Sequence, residues 1–575
     1  MSKLPDLRGY ESISDLVDDS LPRLGAQNIA IVETPDGLVE WSADDLLRRS
    51  RLAAWRLMAA GVNRGEPVLT LAAAGPDQAA LFMGAWRAGI IPVPLDQRLT
   101  PEVIARIAER AGTRWLVTDD GRALSADAEG VPSGHSVLSL KDLTSDDRDG
   151  LPADWEATVA AWPRPSPDDI YAIMYTSGTT GQPRGVMLAH RNTLEPWRQA
   201  MADIRMRLLM RMNFGGKMRT ISVMPQSHLF GLSEIIGMVV LGVTVVYPLS
   251  RTPRSILESM RRHRPTTISV APRFLELFWR QLVREIAADG DLESFERRRV
   301  RARRLPYWVR RRMFRSELAR IGGKIRIFTS GAAYLPPEVQ SAWESIGIPV
   351  MQGYGATECG GVAMTSYLRH PIGKVGKPLR VANVELAPDG EILVSGPGVT
   401  AGYWRDPEAT SKAWDQQGRY HTGDIGRFDE KGDLVLLGRK KNIIVLSNGL
   451  NVYPEDIEAA LHGVGLGDTV VLETTPGRIE AVILDPEREM AALSMPDGMS
   501  LAERQEALRE RIDQLVRTAN DRLTQHERID GWRLWPEPDF PRTHTQKIRR
   551  DPVRQWASSP SSVPLPVRDG VGAEA

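Results

Sequence analysis

The chain of 575 residues exceeds what one hydrophobic core sustains, so at least two domains and room for a buried active site are expected. With 42% hydrophobic and 25% charged residues, and 73 Lys and Arg against 73 Asp and Glu, the composition is that of an ordinary globular protein and does not support a globally basic surface for nucleic acid. A single cysteine, Cys359, excludes an intramolecular disulfide framework and fits a reducing compartment.

The opening MSKLPDLRGYESISDL lacks the uninterrupted apolar core of a signal peptide. From LVDDSLPRLG to LLRRSRLAAWRLMAAGV the pattern has a helical rhythm, followed by short buried strands at PVLTLAAAG and PVPLDQRL around a helical DQAALFMGAWRAG. Further strands are predicted at TRWLVTD (113–119), AIMYTSG (172–178), TISVMPQ (220–226), TVVYPLS (244–250), TTISVAP (266–272) and IRIFTSG (325–331). This alternation predicts an α/β fold of mostly parallel sheets flanked by helices, with strand ends rich in Gly, Ser, Thr and Pro, where ligands bind in such sheets. The longest apolar stretch, IIGMVVLGVTVVYPL (235–249), is shorter than the roughly 20 residues of a membrane span and reads as a buried helix running into a strand. A cytoplasmic protein without a transmembrane segment is expected.

Past about residue 373 the texture becomes short strands and turns, NVELAPDGEILVSGPGV and GDIGRFDEKGDLVLLGR, which read as hairpins of a small barrel or twisted sheet. A second break follows Gly438. The expected domains are 1–438, 439–556 as a smaller mobile α+β unit, and a tail, 557–575, expected to lack fixed structure. Two Arg-rich runs, 295–315 and 205–219, read first as solvated helix faces and otherwise as contacts for a phosphopantetheine carrier, coenzyme A or a membrane surface.

The stretch YTSGTTGQPRGVM (175–187) is a strand, then a turn too glycine-rich to be regular, then VMLAHRN opening a helical segment. Bare backbone N–H groups, hydroxyls and a nearby cation suit phosphate oxygens, although the spacing differs from that of GxxxxGK[ST] loops. Four more stretches follow in order: TSGAAYL (329–335), QGYGATE (352–358), YHTGD (420–424) with GRKKNIIVLSNGLNVYPEDIE (438–458), and PRTHTQKIRR (541–550).

In these five ordered motifs the chain resembles the adenylate-forming superfamily of AMP-forming acyl- and aryl-CoA synthetases, luciferases and peptide-synthetase adenylation domains. VMPQSHLFG, RPTTISVAPRFLE and LSNGLNVYPEDIE are similar to the long-chain fatty acyl-CoA synthetase branch. The resemblance implies a large N-terminal domain of stacked α/β sheets with a small barrel-like subdomain, followed by a mobile C-terminal domain. It also implies a two-step reaction with ATP, Mg²⁺ and coenzyme A: a carboxylate attacks the α-phosphate to give acyl-AMP and pyrophosphate, and a thiol then displaces AMP.

Carried onto this sequence, the resemblance places Thr176, Ser177, Gly178, Thr179, Thr180, Gly181 and Arg184 around the phosphates and the metal between Thr176 and Glu358. Gly331, Ala332 and Ala333 lie against adenine, and Gln352, Gly353, Tyr354, Gly355, Ala356 and Thr357 line the nucleotide, Tyr354 by stacking and Thr357 at the α-phosphate. Asp424, assisted by Arg439, holds the ribose hydroxyls, and Lys547 bridges carboxylate and phosphate. The implied catalytic set is Lys547, Glu358, Thr179 and His228, the last lining the acyl pocket; Lys441 is the hinge, and Gly449 flanks the thiol tunnel.

Departures are Arg184 for the usual loop lysine, Gln546 for the glycine before the last lysine, Asn442 for an acidic residue, and Val445 where some relatives carry a lysine used in thioester formation. The expected partners are a hydrophobic carboxylic acid and coenzyme A. The alternative is transfer of the acyl-AMP to a carrier-protein phosphopantetheine or a separate transferase, and a homodimer is a further option. Cys359 is expected to pack as a small buried side chain.

Overall fold

A computed structural model describes residues 7–119, 135–177, 183–202, 218–446, 450–475, 477–484, 501–543, 547–559 and 562–567. The chain forms two units, residues 1–385 with 393–422, and residues 386–392 with 423–575.

The strands of the first unit are β1 (Asn28–Thr34), β2 (Gly37–Ser42), β3 (Pro67–Leu71), β4 (Ile91–Pro94), β5 (Trp115–Thr118), β6 (Ser136–Ser139), β7 (Ile170–Ser177), β8 (Pro183–Ala189), β9 (Arg219–Ile221), β10 (Thr244–Tyr247), β11 (Thr267–Val270), β12 (Ile327–Ser330), β13 (Val350–Ala356), β14 (Gly360–Met364) and β15 (Lys377–Pro378). Three sheets result, in the orders β2-β1-β10-β9, β4-β3-β5-β6 and β11-β12-β13-β14-β15, with β7 and β8 as a separate hairpin. The second of these is parallel throughout; β3, β4 and β5 are largely apolar and buried, as strands covered on both faces require, while the edge strand β6 is half-buried. Helix Ala43–Ala59 starts at a Ser42 and Asp45 capping box. It meets helix Pro76–Ala88 so closely that a Cβ on Gly84 would lie 2.3 Å from the Ser50 carbonyl oxygen. A separate core under β11 to β13 is built from Leu275, Phe278, Phe328 and Trp343, and the Trp343 indole donates to the Leu275 carbonyl at 3.0 Å.

Three local expectations differ. The helical rhythm between residues 16 and 62 is interrupted by the β1/β2 hairpin, because the alternating β-branched run NIAIVET pairs with GLVEWS around a turn ending at Gly37. The run VMLA, read as opening a helix, belongs to β8: Val186 and Leu188 are buried while Met187 between them is half-buried, a period of two, and the helix starts at His190. Strand β9 ends at Ile221, and the rest of TISVMPQ is a loop.

Strands β16 (Asn383–Leu386), β17 (Glu391–Ser395), β18 (Tyr420–Phe428) and β19 (Leu434–Arg439) follow, β18 and β19 as an antiparallel pair. In the second unit, β20 (Ile444–Val445) pairs with β21 (Asn451–Val452), and β22 (Thr469–Thr475), β23 (Arg478–Leu484), β24 (Gly531–Trp535) and β25 (Leu565–Pro566) form a sheet. Its core joins Val452, Ile457, Leu461, Ile483, Ile512, Val516 and Trp532. Within the segment expected to lack structure, Leu565 and Pro566 pair with Trp532 and Gly531. The apolar anchors Leu565 and Val567 against this core explain that order.

Candidate nucleotide and acyl site

Val270, Ser330 and Gln352 stand in register across the parallel strands β11, β12 and β13. Beyond them the chain leaves β11 and β12 as Ala271–Pro272 and Gly331–Ala333, while β13 runs on through Gly353 and Tyr354 to pair with β14, so the three segments share one carboxyl edge of the parallel strands. Ser330 Oγ and Gln352 Oε1 are buried there without a hydrogen-bond partner. Buried polar atoms rarely stay unpaired, so the edge suits a polar ligand such as a nucleotide.

The backbone is fitted for close approach. A Cβ on Gly355 would lie 2.1 Å from the Gly360 carbonyl oxygen, so only glycine allows the β13/β14 pairing there. Ala332 holds φ +69°, left-handed backbone in a residue other than glycine, a strain that marks functional turns. A Cβ on Gly331 would come within 4.0 Å of the Phe230 ring, which brings the segment 228–232 beside the Gly331–Ala333 turn.

Thr176 pairs with Arg184 across β7 and β8, so Arg184 stands on a strand rather than in the loop expected for it. Its guanidinium carbon lies 5.4 Å from the centre of the Tyr403 ring. Tyr403 donates its hydroxyl to Glu358 Oε1 at 3.1 Å. Glu358 sits in the turn between β13 and β14, and its carbonyl accepts from Thr400 N at 2.9 Å. Burial, followed by the adjacent carboxylate, raises the pKa of the Tyr403 phenol, which keeps it protonated as a donor. Segment 402–404 is bonded along β8 through Met187 N to Gly402 O and Trp404 N to Gly185 O, which places the tyrosine. Cys359 beside Glu358 is buried, as expected for packing.

His228 occupies the N-cap position of helix Leu229–Leu241, half-buried. The turn before it is set by Gly231, where a Cβ would be 2.0 Å from the Pro225 carbonyl oxygen. One turn further along that helix Glu234 is buried, accepts from Ser222 Oγ at 2.8 Å, and leaves Oε1 unpartnered. Burial pushes its carboxyl up to about 8, against the smaller opposing effects of Ser222 and Arg251.

In the second unit Asp424 and Arg439 face each other across β18 and β19, with Arg439 Nε 2.7 Å from Asp424 Oδ1. Lys440 is held by Asp389 at 2.7 Å and Glu391 at 2.9 Å. Lys441 follows in a short 3-10 turn, its ammonium pKa lowered by partial burial. Asn442 donates to Glu455 Oε1 at 2.8 Å. Lys547 N donates to Thr543 Oγ1 at 3.2 Å, and Thr543 N to Lys547 O at 2.7 Å, which closes the PRTHTQK loop.

Gly178, Thr179, Thr180, Gly181 and Gly449, and the Gln546 departure, lie outside the described residues, as does the side chain of Ser177. The sequence reading missed Tyr403, Thr400 and Ser330. The signal available was TAGYWRD, a glycine and aromatic pair just after a buried strand.

Residues 22–404 match the AMP-binding enzyme family and residues 441–556 the AMP-binding enzyme C-terminal domain. Long-chain-fatty-acid–CoA ligase FadD15 of Mycobacterium bovis is 29% identical over 555 residues, 88% of this chain and 89% of that protein. 4-Coumarate–CoA ligase 3 of Oryza sativa subsp. japonica is 30% identical over 491 residues, 80% of each. The solved structure of ATP-bound MatB from Rhodopseudomonas palustris has the same fold, with a TM-score of 0.69 at 23% identity over 95% of this chain and 99% of that one. With its ordered motifs and two matched domains, the chain belongs to the AMP-binding enzyme family and is an enzyme of the adenylate-forming superfamily.

Proposed function

We propose that the protein activates a hydrophobic carboxylic acid with ATP and passes the acyl group to coenzyme A. The observation that carries this reading is the buried Tyr403 and Glu358 pair beneath Arg184, beside a sheet edge with two unsatisfied polar atoms, Ser330 Oγ and Gln352 Oε1. The all-oxygen pair of Thr176 and Glu358 fits Mg²⁺, which when bound neutralises phosphate charge.

In the first half-reaction an oxygen of the substrate carboxylate forms a bond to the α-phosphorus, the bond to the β-bridging oxygen breaks, and pyrophosphate leaves. Arg184, the Ser/Thr/Gly loop with Thr179, and Lys547 meet the charge that develops on the phosphate oxygens. Gly331, Ala332, Ala333 and Tyr354 hold the base, Asp424 with Arg439 the ribose, and Thr357 the α-phosphate. In the second half-reaction the thiol sulfur bonds to the acyl carbon, AMP leaves with the bonding pair, and the thiol proton passes to solvent. Lys441 is the proposed hinge of the alternation, and Gly449 flanks the thiol path. His228 and the segments SVAPRFLE and SGAA border the acyl tail. The cytoplasm, which supplies ATP and coenzyme A, is the compartment this reading calls for.

Pyrophosphate release with Mg-ATP is measured across straight-chain, aromatic and polycyclic acids, with and without coenzyme A, and the products are weighed by mass spectrometry. Acyl-CoA is the expected product. Accumulation of acyl-AMP alone moves the second step to a carrier protein or separate transferase, and absence of pyrophosphate across the panel overturns the proposal.

A further inference from the structure

The Arg-rich run 295–315 folds mainly as helix Leu292–Ala302, a short turn, and helix Tyr307–Met313. Its arginines divide into two groups. Arg298 pairs with Glu317 and lies 5.2 Å over the Phe314 ring, and Arg299 pairs with Glu296 and lies 4.7 Å over the Trp279 ring. Arg310 donates to the carbonyls of Leu305 at 2.7 Å, Glu344 at 2.8 Å and Arg303 at 2.6 Å, which fixes the turn. These side chains hold the hairpin together.

The second group has no such partner. Arg301, Arg303, Arg304, Arg312 and Arg315 are exposed, and among the described residues none makes an ion pair. Two large apolar side chains stand among them, Val300 at 66% and Trp308 at 72% exposure. Spacing places them in stripes: Val300 and Arg301 share an exposed face of the first helix with Arg297, which pairs with Glu293, Arg303 and Arg304 follow in the turn beyond that helix, and Trp308 with Arg312 stands at i and i+4 on the second. Leu305 N donates to Ala302 O and Val309 N to Pro306 O, so both stripes begin or end at one tight turn.

The protein as a whole has no net charge, so this is a local segregation of uncompensated cations around an exposed indole. Anionic headgroups neutralise guanidinium groups, and an indole is at its best at headgroup level, half in the acyl boundary. A protein partner of ordinary size buries a contiguous apolar centre, whereas here two apolar side chains are set singly among five cations. We propose that the turn between these two helices docks the protein on anionic phospholipid bilayers, with Trp308 inserted at headgroup level and Arg301, Arg303, Arg304 and Arg312 on the phosphates. This inference is independent of the ligase reading.

Flotation of the full-length protein is compared on vesicles of phosphatidylcholine alone and with about 30% phosphatidylglycerol, at low salt and at about 0.5 M NaCl. Binding to the anionic vesicles at least about tenfold above the neutral ones, lost in high salt, is expected. The variant Arg303→Glu/Arg304→Glu/Arg312→Glu loses it, and Trp308→Ala weakens it about fivefold while pyrophosphate release in solution is unchanged. Trp308→Ala keeps the test decisive should the triple variant be unstable, since that side chain is largely in water. Equal binding to both vesicle types, binding unaffected by Trp308→Ala, or no binding while an acidic protein partner is captured overturns the proposal.

Discussion

The hydroxyl of Tyr403 donates to Glu358 Oε1 at 3.1 Å, with both side chains buried. The two residues are 45 positions apart, and the bond orients one oxygen of the only carboxylate in the QGYGATE segment. Tyr403→Phe keeps the ring under Arg184 and deletes the donor. A hydrogen bond to a charged group contributes about 1.5–3 kcal/mol, so adenylation is expected to fall at least about tenfold, with a higher Mg²⁺ requirement. Initial rates against total Mg²⁺ check this; a variant with an unchanged Mg²⁺ curve counts against the positioning role.

Lys547 separates the two half-reactions. Lys547→Ala is expected to lower acyl-AMP formation by about 10³-fold and to spare thioester formation from supplied acyl-AMP. Each half-reaction is followed separately in single-turnover mode, and equal losses in both refute the assignment.

Arg550, three residues beyond that lysine, binds both oxygens of Glu458 at 2.6 Å, and Glu458 Oε1 also accepts from Val471 N at 2.7 Å. This clamp ties the start of the helix after the Lys547 loop to β22. Glu458→Gln is expected to destabilise the second unit by about 1.5–3 kcal/mol and to slow adenylation more than thioester formation. Thermal denaturation together with the half-reaction rates tests both parts.

Glu234 gives a pH signature. Its carboxyl is raised from 4.5 to about 8 in the folded protein, so between those values the folded state holds a proton that the unfolded state has released. Its contribution to stability is therefore complete below about pH 4.5 and is lost as pH rises toward 8. Glu234→Gln removes this dependence. The Tm of the variant is expected to match the parent near pH 5 and to exceed it by a few degrees near pH 8.5. Parallel curves across that range sink the argument.

Ala332, at φ +69°, holds a conformation that disfavours a branched Cβ. Ala332→Val is expected to lose about 1–2 kcal/mol of stability and to raise KM for ATP, whereas Ala332→Gly retains both. Denaturant melts and ATP titrations of the pair decide it.

Much of this was legible before any fold was known. The glycine-rich turns, the apolar strand runs and the order of five short motifs are local features, and local features carry family and strand ends directly. The Arg-rich run 295–315 was visible too, but its division into structural and unpartnered arginines was not, because Glu317 and the Glu344 carbonyl are brought to it by packing; of the other run, 205–219, residues 205–217 lie outside the described residues.

The misread segments share a physical cause. VMLA and NIAIVET are short apolar runs whose helix or strand state depends on a pairing partner, Ile173 and Met174 for Met187 and Val186, and Glu40 for Ile31. Tyr403 escaped notice for a similar reason: it is brought to Glu358 by the bonds of Gly402 and Trp404 to β8, residues more than 200 positions earlier in the chain. Composition and motif order established what kind of enzyme this is. The contacts that aim its carboxylate, strain its Ala332 turn and leave Ser330 and Gln352 unsatisfied arise from long-range pairing, which burial and hydrogen-bond geometry set and which no local pattern encodes.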